Sequence, residues 1–103
     1  LRVAGPKDIA AGKAAALCSR DEVKDYIDIA FLTDRERWTL GDLETFAEKK
    51  YGLGTITEEK LLAELNAKRE QFTLPDKIFL HNAEHHKAFV GAQIATLIEH
   101  TTL

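Results

Sequence analysis

Apolar positions recur at helical spacing along five stretches of the chain, and only one short piece at the amino end reads otherwise. Behind Gly5, Pro6 suits a first helical position, and Ile9, Ala10, Ala14, Ala16 and Leu17 supply the spacing of a helix ending near Cys18. Ser19 and Glu22 have the spacing of a capping box ahead of a second stripe, Val23, Tyr26, Ile27, Ala30 and Phe31, which runs to about Leu32. Thr33 to Trp38 is polar apart from its tryptophan and predicts a connector. Thr39 with Asp42 opens a third helix whose face is Leu40, Leu43, Phe46, Ala47 and Tyr51, and Gly52 and Gly54 end it.

Thr55 to Thr57 leads into a fourth helix with Leu61, Leu62, Leu65 and Phe72 inward. Glu58, Glu59, Lys60, Glu64, Lys68 and Glu70 are expected mainly outward. Thr73-Leu74-Pro75 breaks it, and Lys77 to His81 is too short for periodicity to decide between a helical turn and extended chain. From about Asn82, the positions Val90, Ile94, Leu97 and Ile98 describe a fifth helix. The expected fold is all-α, with about five helices in a single helical domain or fragment spanning 1–103. An antiparallel helical hairpin over 6–32 precedes further helices over 39–103, because the two or three residues around Ser19 leave helices one and two no route except to fold back.

Composition narrows the function classes. The 103 residues are 45% apolar and 30% charged, which fits one small core, and the formal net charge of -3 gives no bulk attraction to nucleic acid or anionic membrane. An anionic ligand must be held locally. No apolar run approaches the ~18 residues of a membrane span, so no membrane partner is expected. The single cysteine, Cys18, forms no internal disulfide and no cysteine metal site, which points to a cytoplasmic setting and a buried helix-end thiol. The chain opens at Leu1 and holds no methionine, which predicts a trimmed start. Leu1 to Ala4 reads as the remnant of an upstream strand.

Two residues sit oddly in the apolar pattern. Lys13 lies four residues from both Ile9 and Leu17, in the middle of the stripe that the first helix is expected to bury. The bland reading is a stem that snorkels to water from the edge of that face. Asp28 interrupts Tyr26-Ile27-Asp28-Ile29-Ala30-Phe31-Leu32, a run apolar on nearly all sides, and Asp25 and Asp21 share its face. Enclosed carboxylates require a cation, a metal or several donors, so these aspartates are either a structural ion pair tying two helices together or part of a site. Positions in a hairpin pair by reflection. With the turn near position 20, Lys13 comes level with Ile27 and beside Asp28 more than Asp25, which predicts that ammonium and carboxylate meet at a concave, partly open surface.

The series Asp8-Ile9-Ala10-Ala11, Lys13, Arg20, Lys24-Asp25-Tyr26-Ile27-Asp28 and Phe31-Leu32 resembles a segment of the nucleotidyltransferase toxins of the abortive-infection, AbiEii-like family. The likeness covers about a quarter of the chain. It implies that the chain is the carboxyl-terminal helical half of an enzyme with a polymerase-beta-like catalytic fold, in which the lysine contacts the triphosphate of a bound nucleotide. Carried across, Lys13 and Arg20 would be the phosphate-binding residues and Asp28 and Asp25 the catalytic carboxylates, with Arg20 and Asp25 in support. The resemblance further implies Mg2+ and an NTP as cofactors of the parent enzyme, an RNA or protein acceptor, and an antitoxin protein as a partner. The family's glycine-serine loop and metal-binding Asp-x-Asp pair do not occur between Leu1 and Leu103, so the chain alone is expected to be inert and to need no cofactor. A face of helices one and two made for the missing sheet predicts a homodimer of the isolated piece. The rival expectation is a non-enzymatic helical interaction module. His81, His85 and His86 stand at a spacing that could ligate zinc, against a plain polar cluster at a helix start.

Overall fold

The computed structural model describes residues 5–20, 22–71 and 83–102, and these form five α-helices with no strand among them. They are α1 (Pro6–Ser19), α2 (Val23–Glu36), α3 (Leu40–Tyr51), α4 (Glu58–Gln71) and α5 (Ala83–Thr102). The all-helical expectation therefore holds for the described chain. The readings placed on Leu1 to Ala4, Asp21, Phe72, Thr73-Leu74-Pro75 and Lys77 to His81 lie outside the described residues.

α1 packs against α2, α3 and α4, and α5 closes over α2, α3 and α4. The face α1 turns inward is made of small residues, Ala10, Ala11 and Ala14, with Leu17 at its end, all fully buried. Small side chains let helix axes approach closely, and Ala47 on α3 is likewise fully buried. Leu40 and Leu43 of α3, Leu61 and Leu65 of α4 and Ile94 of α5 fill the centre. Choosing this alanine face leaves Ile9 46% exposed, so the buried stripe of α1 runs beside Lys13 and not through it.

The α1–α2 hairpin forms, but its corner differs from the expected one. α1 continues through Ser19, whose hydroxyl donates back to the Ala15 carbonyl at 2.8 Å, so no serine capping box opens α2. Glu22 stands at the N-cap of α2 without a side-chain capping bond. At its other end α2 runs on to Glu36, past the expected stop at Leu32. Asp34, Arg35 and Glu36 are the solvent side of a last helical turn, and that accounts for a polarity that reads as a connector. Buried Thr33 anchors this turn: its hydroxyl donates to the Ile29 carbonyl at 2.6 Å and accepts a bond from Gln93 Nε2 of α5 at 3.1 Å. Arg37 then enters the left-handed region at φ 61°, and the Trp38 N–H returns to the Thr33 carbonyl at 3.0 Å, a Schellman-type stop.

α3 opens on a complete capping box, as its sequence predicts: Asp42 N–H donates to Thr39 Oγ1 and Thr39 N–H to Asp42 Oδ2. Gly52 at φ 110° and Gly54 at φ 79° take backbone conformations that other residues avoid, which ends the helix. On α3 and α4, Tyr51 and Lys68 depart from the expected sides. Tyr51, on the last turn of α3, is 44% exposed. Lys68 is buried and paired with Glu64 at 2.6 Å, because it continues the row of Leu61 and Leu65 that α4 turns to the core.

Candidate functional site

The hairpin brings Lys13, Arg20, Asp25 and Asp28 together. Lys13 Nζ lies 2.7 Å from Asp28 Oδ2 and 3.9 Å from Asp25 Oδ1. Arg20 grips Asp25 with two bonds, Nε to Oδ2 at 2.8 Å and Nη2 to Oδ1 at 3.2 Å, and Glu22 stands 3.9 Å from Arg20 Nε. Each pairing joins the carboxyl half of α1 or its cap to the amino half of α2 or its cap, in the order an antiparallel hairpin requires. Helix dipoles add to it, since Arg20 caps the negative end of α1 and Asp25 lies in the positive first turn of α2.

The two aspartates, expected to share one face, are not equivalent in burial. Asp25 is 1% exposed, whereas the Asp28 side chain is 46% exposed. Asp28 breaks an apolar run and draws attention on that account. Asp25, however, heads the row Asp25, Ile29, Leu32 and Thr33 that α2 presents to the core. Asp28 belongs to the next row with Phe31 and Arg35, which faces out. With two guanidinium N–H donors of Arg20 and the Lys13 ammonium around it at the helix corner, Asp25 is satisfied where it stands. The Arg20 guanidinium holds its proton more tightly than an isolated arginine, chiefly through the hydrogen bond to Asp25.

Lys13 and Asp28 sit at an open groove of about 580 Å³ whose other walls are Ile9, Phe31, Leu32, Asp34 and Arg35. Lys13 keeps 34% of its side chain exposed, so the ammonium reaches water as well as its partner. The groove thus sets the Lys13–Asp28 pair, with Asp34 and Arg35, against the apolar side chains of Ile9, Phe31 and Leu32. Such a surface can take an anion that carries an apolar or planar portion, with Lys13 trading Asp28 for the anion or binding both. Phe31 and Ile9, both partly exposed, were expected inward as members of buried stripes, and their place on the groove wall is not legible from periodicity.

Neither Cys18 nor His86 lines this groove. Cys18 is partly buried against α4, and burial, with Glu64 as a lesser contributor, pushes its thiol pKa up, the wrong direction for a nucleophile. His86 meets the Phe31 ring edge-on at 6.2 Å; His81 and the side chain of His85 lie outside the described residues. Among the described residues, no three His, Cys, Asp or Glu side chains are grouped so as to hold a metal ion, and no helix is long and apolar enough to cross a membrane.

Comparison with known proteins gives one informative match. An uncharacterized protein of Aquifex aeolicus (strain VF5), aq_aa25, is 45% identical over 49 residues, 48% of this chain. The matched stretch spans 24% of that protein's length. No family model matches the chain, and no solved structure does.

Proposed function

We propose that the chain is the helical part of a nucleotidyltransferase of the AbiEii-like kind, one that moves a nucleotidyl group from an NTP to an RNA or protein acceptor. The observation that carries this reading is the half-open Lys13–Asp28 pair. An ion pair serving only to staple two helices gains nothing from a place on a groove, whereas a phosphate-binding lysine needs access to one. The likeness of the Asp8 to Leu32 segment to that family supplies the reaction class.

In this reading Lys13 binds a phosphate of the nucleotide and neutralises charge on the departing pyrophosphate as the acceptor oxygen bonds to the α-phosphorus. Asp28 holds the ammonium in place and offers its exposed oxygen to the acceptor hydroxyl proton. Asp25 and Arg20 are positioning residues: their buried clamp sets the height of α1 against α2 and so the place of Lys13. Mg2+ supplies charge neutralisation in this chemistry. Among the described residues no side chains are grouped to hold a metal ion, and in this reading its ligands would be the family's Asp-x-Asp pair, which does not occur between Leu1 and Leu103.

The test uses the longer protein that contains this chain, with labelled NTP and RNA or protein acceptors. Lys13→Ala and Asp28→Asn are each expected to lower transfer by at least about 100-fold while the protein stays folded. The competing reading, a helical interaction module, draws on the exposed Ile9 and Phe31, which would then face a protein partner. It wins if Lys13→Met with Asp28→Leu keeps or raises the melting temperature and leaves activity intact, because apolar replacements often equal an ion pair. An upstream sequence without a Gly-Ser loop and an Asp-x-Asp pair also sinks the enzymatic proposal.

A further inference from the structure

We propose that Phe31 is the platform on which the base of the bound nucleotide stacks, an inference that rests on the reading of Lys13 as a phosphate ligand. Phe31 stands three residues beyond Asp28 on α2, a rise of about 4.5 Å, and both line the groove that also holds Lys13. Ring and ion pair thus share the groove less than one helical turn apart along α2.

The ring is held in place before any ligand arrives. Phe89 of α5 lies against it with centroids 5.0 Å apart and planes tilted by 30°, and His86 meets it edge-on. Contacts from α5 therefore fix its orientation from behind, yet 39% of the residue remains exposed where it walls the groove. A large aromatic kept rigid and half bare loses little freedom on receiving a planar partner, and any base has a π-face to offer. Ile9 on the α1 side of the groove adds an apolar wall beside Lys13. The Phe31 surface presents no hydrogen-bonding group, so the stack tolerates any of the four bases. Discrimination among nucleotides then comes from groups other than the ring.

The experiment measures binding of the four NTPs and of inorganic tripolyphosphate to the longer protein by calorimetry, with Phe31→Ala, Phe31→Trp and Lys13→Ala variants. Phe31→Ala is expected to weaken NTP binding about 5- to 150-fold, the range of one base–aromatic stack, and to leave tripolyphosphate within about twofold. Phe31→Trp is expected to restore the NTP affinity, and Lys13→Ala to weaken both ligands. Equal losses for NTP and tripolyphosphate in Phe31→Ala, or no loss for either, overturn the stacking role and leave the phosphate role of Lys13 standing. A melting temperature lowered by both Phe31→Ala and Phe31→Trp, with NTP affinity lost in both, marks the ring as a packing surface and likewise overturns it. If the unaltered protein binds neither ligand, the enzymatic reading falls and Phe31 falls with it.

Discussion

Removing Arg20 is expected to cost more than removing either residue of the open pair. Arg20→Ala leaves the buried Asp25 carboxylate with only Lys13, 3.9 Å away, so we expect the larger loss of stability there, tempered because Arg20 itself is half exposed. Asp28→Ala leaves Lys13 free to reach water, and the loss is expected to stay under about 1 kcal/mol. Urea denaturation of the two variants checks the ranking; equal losses would mean that the two pairs are not divided between structure and site. Cys18 gives a pH-dependent counterpart. Its thiol pKa is raised in the folded protein, so the neutral form is favoured there, and the stability this lends is present below the ordinary thiol value of 9.0 and lost as pH rises through and beyond it. Alkylation at pH 8 is accordingly expected to run slower on the native chain than on the urea-unfolded one.

Helix ends show how local chemistry and packing divide the decisions. The Thr39–Asp42 box is legible from two residues because a cap is a contact between neighbours in sequence, and Thr39→Ala is expected to cost about 1 kcal/mol in thermal or chemical denaturation. Ser19 and Glu22 have the same spacing and form no box. Ser19 is retained by α1, whose last turn takes its hydroxyl, and the helix that wins the residue is decided by where the hairpin corner falls. Arg37 is the opposite case, a non-glycine residue in the left-handed region with nothing in its type to announce it. Arg37→Gly is expected to stabilise the protein by up to about 1 kcal/mol, read as a rise in melting temperature; a fall would show that the arginine side chain contributes more than its backbone strain costs.

In the five-helix assembly as a whole, the groove stands on the outer rows of α1 and α2 while Phe89 of α5 supports it from behind. Under the nucleotidyltransferase reading such a surface holds only one side of a nucleotide. The isolated chain is therefore expected to bind ATP or CTP too weakly for calorimetry to detect, with or without magnesium, since a single lysine competes poorly with water for phosphate. Magnesium-dependent micromolar binding by the chain alone would place the site elsewhere.

Five helices and the folded-back first pair were within reach of the sequence, because periodicity, caps, glycines and a three-residue corner are properties of neighbours along the chain. The meeting of Lys13 with Asp28 was legible for the same reason: in a short-turn hairpin, chain length alone puts the two positions level. Which carboxylate is enclosed was not. Asp25 and Asp28 lie less than one turn apart, and a modest rotation of α2 about its axis exchanges their surroundings. That rotation is set by Ile29, Leu32 and Thr33 packing inward, and by Ala10, Ala11 and Ala14 drawing α1 against α3 along a face adjacent to Lys13. Periodicity gives a helix a sidedness, whereas the angle at which that side is presented depends on helices distant in sequence. The burial of Lys68, the exposure of Phe31 and Ile9 and the existence of the groove follow from those angles, and they were decided only when the five helices packed.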